Sequence, residues 1–456
     1  MTARSLTLIP MLLLAGCDLA PRYVRPAPPV PAAMPTGDAY AAVARTGETA
    51  GLPWNQLVQD ERLRTIITRA LANNRDLRAT LANVEAARAL YKVQRSAQLP
   101  TITGDAGASF TRRNDNRQDN YSADLGFSAF EIDLFGRVRN LTRAALETYL
   151  ATEEGARSAR IALIAETARA YASLAADRDL LAISRDTLES ARRSLALVRS
   201  LNMAGLVGKL DVHQAETIVE QSTADVAAAV TQVAQDRNAL DLLAGEPMQD
   251  DLLPASLDDL TTRIARVPAN LSSDVILQRP DVLQAEHRLK AANADVGAAR
   301  AAMLPRISLT SAIGVASSAL SSLFTGGGFA WSATPSASLP VLGGPVRGNI
   351  EYSKAQRDAA LAEYEGAIQT AFREIADGLA RDGTIDAQAA AQQRLVAASG
   401  RAYALAEQRY RAGIDPFLNT LTSQRTLYNA RRSAIGTQLA LVDNRILLYR
   451  VIGADQ

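Results

Sequence analysis

The chain has 456 residues, a formal net charge of +1, 5% aromatic residues and a single cysteine. Acidic and basic residues are interspersed, so the basic face that nucleic-acid binding calls for is missing. One cysteine excludes an intrachain disulfide and a cysteine-ligated metal site, and the scarcity of aromatics beside abundant alanine points to closely packed helices.

Residues 1–16 read as a secretory signal. Arg4 supplies the positive charge, and Leu6 to Leu14 form an apolar run too short to span a bilayer. The run ends in Leu14-Ala15-Gly16-Cys17, which resembles the bacterial lipobox, so Cys17 is expected to carry lipid. Residues 17–53 follow as a lipid-anchored linker. Six prolines between Pro21 and Pro35 stiffen it and are expected to keep the acylated end apart from the folded body. Past the signal no run of eighteen apolar residues occurs, hence no transmembrane helix.

Helical patterning covers 54–99, where Pro100 stops it. Residues 100–133 then alternate with period two: Ile102, Ala106, Ala108 and Phe110 outbound, Tyr121, Ala123, Leu125, Phe127 and Ala129 on the return, against small or polar neighbours. Long helices are expected over 134–245, the first running unbroken from Arg137 to Leu201 with Leu174, Leu181, Leu188 and Leu195 at heptad spacing. Ala204-Gly205-Leu206-Val207-Gly208 makes a turn, and a second helix returns. Residues 246–279, with three prolines, read as a small equatorial segment.

The plan then repeats. A helix over 280–304 leads into a second alternating pair over 305–344, with Ile307, Leu309, Ile313, Phe329 and Trp331 on its apolar face. Residues 345–456 hold a long helix, a turn at Ala412-Gly413-Ile414-Asp415-Pro416, and a returning helix. Matching landmarks lie roughly 205 to 208 residues apart, which marks an internal duplication.

A hairpin met alone reads as soluble, with one face on a core. Behind a lipoprotein signal, segments of about 10 alternating residues read as transmembrane barrel strands. Four strands cannot close, and open edges cannot sit in lipid. Three copies give twelve strands and a hollow interior, which the small Ser, Thr, Gly and Ala of the polar face favour.

Several motifs then converge. Tyr23-Val24-Arg25-Pro26, the spacing Trp54, Leu57, Leu63, Ala70-Leu71, Asn74 and Asp76-Leu77, the run Leu277-Gln278-Arg279-Pro280-Asp281-Val282, and Arg409-Tyr410-Arg411-Ala412-Gly413 resemble the TolC/OprM/NodT outer-membrane factors. The resemblance covers nearly the whole mature chain. It implies an α+β membrane protein: a homotrimer with a twelve-stranded barrel in the outer membrane and a periplasmic α-helical barrel. It also implies a passive exit duct for drugs or other small molecules, coupled to a periplasmic adaptor and an inner-membrane pump of the RND type. A duct for a peptide, polysaccharide or oligosaccharide exporter, or a non-conducting trimeric spacer, are the alternatives.

No enzyme constellation and no cofactor are expected. His213 and His287 lack metal-ligand spacing; His287 reads as a solvated residue, and His213 as packing or a pH-sensitive group. Gly326-Gly327-Gly328 lacks the lysine and helix of a phosphate cradle. Arg279, Pro280 and Asp281 read as a structural turn, with Pro280 in the first turn of a helix and Asp281 at its positive end. By the resemblance, a gate at the periplasmic aperture involves Asp211, Leu418, Asn419, Thr422 and Arg425. Asn419 and Thr422 stand where other members commonly carry aspartates. Asp18, directly behind the acylated cysteine, stands at a position where Asp retains some lipoproteins in the inner membrane. The strands outweigh it, having no use there.

Overall fold

The computed structural model describes residues 18–40, 53–114, 116–266, 273–325, 328–341 and 344–452. The signal segment, Cys17, Asp115 and the first two glycines of the loop triplet lie outside them.

The chain divides into two compact units. The first contains Ala82–Gly155, Asp281–Ala367 and the N-terminal residues up to Pro28. Its sheet has four antiparallel strands in the order β1 (Thr103–Arg113), β2 (Asn116–Glu131), β3 (Arg306–Ser317) and β4 (Phe329–Ser338). Ladder pairs such as Ala106↔Ala123↔Val315↔Phe329 and Leu125↔Ile313↔Trp331 put the apolar sets of all four strands on one face. Among the described residues the outer edges of β1 and β4 have no strand beside them.

The register breaks once. Before the break Phe127 pairs with Ser311; after it Phe130 pairs with Leu309. Ala129 sits at φ 50°, a conformation L-residues rarely adopt, and is the bulged residue. This corrects the alternation read from sequence: Phe130, not Ala129, joins the apolar face, where its ring meets that of Phe127 edge-on at 6.1 Å.

The helices bear out the duplication in length. They are α1 (Trp54–Leu57), α2 (Glu61–Asn73), α3 (Arg75–Ser96), α4 (Arg137–Met203), α5 (Lys209–Ala244), α6 (Leu257–Arg263), α7 (Pro280–Ala301), α8 (Val346–Arg411) and α9 (Phe417–Ile452). α3 and α7 have 22 residues each, α4 and α8 have 67 and 66, and α5 and α9 have 36 each. The helical patterning over 54–99 resolves into three helices, because two polar side chains cap new starts. Asp60 accepts from the Arg62 and Leu63 amides (2.9 and 3.0 Å), and Asn74 Oδ1 accepts from the Leu77 amide at 2.9 Å.

The second unit holds Pro29–Leu81, Ala156–Pro280 and Ile368–Gln456. Its core includes Leu63, Ile66, Ile67, Ile164, Tyr171, Leu257, Leu260 and Tyr449, all buried. The equatorial segment contributes α6 and two short 3-10 turns, and Val58 pairs with Ile264 as a lone antiparallel bridge. Arg279 is more than a turn residue: it is buried, donating to the Val451 carbonyl at 3.0 Å and to Glu374 at 2.9 Å. Pro280 opens α7, and Asp281 accepts from the Val282 amide at 3.0 Å.

Candidate functional site

Three features can do more than hold the fold: an apolar belt on the sheet, an N-terminal arm, and a pair of helix turns.

The belt follows from the pleat, since residues two apart share a face. Phe110, Tyr121, Leu125, Phe127, Ile307, Leu309, Ile313, Phe329 and Trp331 all fall on it, and Ile102 stands at the same parity directly before β1. Leu125, Ile313, Phe329 and Trp331 are each more than half exposed, an arrangement water disfavours. The opposite face carries Thr103, Ser122, Ser308, Ser332, Thr334 and Ser336. At the helix end of the sheet, Glu131 pairs with Ser308 on the polar face and is held by Arg137 (2.7 Å) and Arg306 (2.6 Å).

The arm departs from the linker expected before the folded body. Residues 18–25 lie along α7. The Leu19 carbonyl accepts from Arg300 (3.2 Å), the Pro21 carbonyl from Asn293 (2.7 Å), and Tyr23 and Arg25 both donate to Glu286 at 3.1 Å. Those partners recur on one side of the helix. Gly297 lets the arm touch the helix backbone: a Cβ there would stand 2.7 Å from the Ala20 Cα. Asp18 accepts from Asn140 (2.9 Å) and Arg143 (3.1 Å) on α4. Burial opposes ionisation of Asp18 and Glu286, yet hydrogen bonds and charges from these partners outweigh it and hold both carboxyls below the usual range. His287, expected in solvent, is half-buried with Nδ1 2.6 Å from Glu147 on α4.

The turns α4–α5 and α8–α9 share one backbone. Gly205 (φ 76°) and Gly413 (φ 70°) end their helices in the left-handed region. The Leu206 amide reaches back to the Leu201 carbonyl and the Ile414 amide to Arg409, both at 2.9 Å. The Gly205 and Gly413 amides bond the Asn202 and Tyr410 carbonyls, one residue inside those bonds at each end, which completes a Schellman motif in each half. Side-chain staples differ: Asn202 Nδ2 donates to the Val207 carbonyl (2.8 Å), while Arg409 grips Asp415 at 2.7 and 3.0 Å and holds its carboxyl below the usual range.

The hairpins pack through Leu195, Val198, Ala215, Tyr410, Phe417 and Leu421, with Tyr410 and Phe417 rings 5.3 Å apart. Burial first, and the Asp211 charge after it, push the Tyr410 hydroxyl up. The structure thereby brings Asp211 of the first hairpin beside the second. Leu418, Asn419, Thr422 and Arg425 stay exposed, with 418, 422 and 425 at helical spacing on one face of α9. His213 is exposed rather than packed, its Nδ1 3.0 Å from Glu216. Met203, Leu206, Leu210, Ile414 and Leu418 give the turns an exposed apolar surface.

Higher on the same hairpin, Asp177 of α4 is pushed up to about 7 by burial and next by its hydrogen bond to Asp236 of α5. Asp177 is thereby disposed to keep its proton at the side of Asp236.

No helix among the described residues is long and apolar enough to cross a membrane, and no group of three or more metal-type side chains gathers there.

Against known proteins, the family model for outer membrane efflux proteins matches residues 66–246 and 271–454. The solvent efflux pump outer membrane protein SrpC of Pseudomonas putida is 43% identical over 464 residues, covering 99% of this chain and 98% of its own. OprJ of Pseudomonas aeruginosa is 40% identical, with 97% and 94% covered. Among solved structures, the open MtrE outer membrane channel of Neisseria gonorrhoeae superposes with a TM-score of 0.85 at 32% identity, covering 96% of this chain and 98% of that one.

Proposed function

The chain belongs to the outer membrane efflux protein family, and we propose that it serves as the exit duct of a tripartite efflux system. It is an outer-membrane efflux channel component, as its relatives are. The observation that carries the reading is the four-stranded sheet, apolar outward on one face and small and polar on the other, with both edges open. In lipid each unpaired edge group costs several kcal/mol, so the edges must meet those of other copies. Three copies give twelve strands, and the small residues of the polar face leave a lumen.

The tips are proposed to receive a periplasmic adaptor. The exposed apolar residues Met203, Leu206, Leu210 and Ile414 supply the kind of surface a partner helix covers. Energy comes from an inner-membrane pump of the RND type, and the chain itself performs no chemical step. Relatives named for solvent and toluene efflux favour small apolar compounds as cargo. Cys17 is proposed to carry the lipid anchor, on the strength of its Leu-Ala-Gly-Cys context. Asp18, the next residue in the chain, is itself held to α4 by Asn140 and Arg143.

The deciding experiment is single-channel recording of purified protein in a planar bilayer. Discrete conductance steps from a species of trimer mass are expected. A trimer that inserts and never conducts would leave the structural-spacer reading standing instead.

A further inference from the structure

Arg112 and Arg117 are direct cross-strand partners in the β1–β2 ladder. Alternation places both on the belt face, one row beyond the pair Phe110↔Asp119. Like charges set opposite each other weaken a ladder. Asp119 answers part of this charge, 2.8 Å from Arg117 Nε, and the Arg117 guanidinium also lies 5.9 Å from the centre of the Phe110 ring. Phe110 in turn meets Tyr121 edge-on at 5.7 Å.

Depth along the strands gives this charge a meaning. Aromatic residues on the outer face of a membrane barrel mark the border between acyl chains and headgroups. Phe110 and Tyr121 hold that position at the hairpin end of the sheet, the end away from the entries from α3 and to α4. The next belt-face row outward therefore stands at headgroup depth. Arginine forks match phosphate oxygens there, two N–H groups to two oxygens.

We propose that Arg112 and Arg117, backed by Phe110 and Tyr121, form a binding site for the phosphorylated headgroup of an outer-leaflet lipid. The site rests on the outer-membrane placement proposed above, with the β1–β2 turn facing outside. The arginines take the phosphate, and the aromatic rings take the apolar part of the same molecule just below it. Arg113 lies on the opposite face, opposite Asn116, and is not part of the site.

The test uses the full-length purified protein in mild detergent and native mass measurement with diphosphoryl lipid A. Wild type is expected to retain this lipid at least about tenfold better than R112Q/R117Q, the scale of one lost charge-assisted contact. R112K/R117K should fall between, since it keeps the charge and loses the fork, and R113Q should bind as wild type does. Equal retention by wild type and R112Q/R117Q overturns the site. So does full displacement by millimolar inorganic phosphate, which would make it a free-anion site. Planar-bilayer conductance of the same preparations separates the two failures. Protein that conducts and retains no lipid sinks this site alone, whereas wild type that never conducts sinks the channel reading beneath it.

Discussion

The backbone N–H of Ala129 donates to Thr310 Oγ1 at 3.0 Å, joining residues 181 positions apart and holding Ala129 at φ 50°. This contact fixes the bulge that turns Phe130 toward the belt. Thr310→Val removes the acceptor of this solvent-exposed bond, at a cost of about 0.5–1.5 kcal/mol. Ala129→Gly relieves the left-handed strain by about 1 kcal/mol. The trimer's thermal dissociation midpoint should fall in the first variant and rise in the second. An unmoved midpoint in Thr310→Val shows that the bulge is held by something else.

Leu125 stands opposite Ile313 on the belt and Ser332 on the other face of the same sheet. Leu125→Arg should cost roughly 2–4 kcal/mol if it lies near the bilayer midplane. Ser332→Arg should leave assembly intact and change ion preference instead. Heat-stable trimer recovered from outer-membrane fractions measures the first effect, and reversal potentials the second. Equal assembly of both variants contradicts the assignment of faces.

Leu418 is exposed at the turn of α9, with Thr422 and Arg425 on the same helix face. If three such faces line an aperture, Leu418→Ser removes an apolar collar and should raise conductance without adaptor. Asp211→Asn should chiefly lower cation preference, because a ring of carboxylates concentrates cations at a narrow opening. Unchanged recordings in both variants place the constriction elsewhere.

Asp177 stays protonated up to about pH 7 through burial and its bond to Asp236. The unfolded carboxyl ionises near pH 4. Between roughly pH 4 and 7 the folded chain therefore holds a proton that the unfolded chain has released, and stability falls as pH rises through that window. Asp177→Asn keeps a donor toward Asp236 and removes the titration. Its melting midpoint should decline less than the wild type's between ~pH 5 and ~pH 8, and lie above it at ~pH 8. Parallel profiles for the two proteins refute the raised titration of Asp177.

Much of this architecture was legible locally. Period-two runs, proline-free stretches and the glycines at 205 and 413 each carry their own conformational signal, and all appear where the sequence puts them. The caps at Asp60 and Asn74 were legible as well, being preferred N-cap residues ahead of apolar periodicity, but unbroken helical patterning concealed them. Other features were not readable from neighbours along the chain. The Ala129 bulge depends on a hydroxyl from another strand, and no alanine announces a positive φ. The Glu147–His287 and Glu286–Arg25 pairs link positions 140 and 261 residues apart. Proline spacing between 21 and 35 gave stiffness and could not tell that α7 offers a track for the arm. At the tip, sequence resemblance supplied residues one by one; the packing of Tyr410 against Phe417, with Asp211 beside them, shows that the two turns act as one block.

The two turns reproduce the same backbone with different side chains, and this gives a trimer an unusual freedom. Three chains present six nearly equivalent hairpins, a pseudo-sixfold ring in which only threefold symmetry is obligatory. Substitution in the first half alters alternate positions of the ring, and substitution in the second alters the remainder. If the turns line the proposed aperture, Asp211 sets the ring's charge while Leu418, Asn419 and Thr422 set its polarity, each open to mutation without disturbing the Schellman geometry that both turns share. An aperture of six identical chains would have to change all its positions together; one built from a duplicated chain can be tuned by halves.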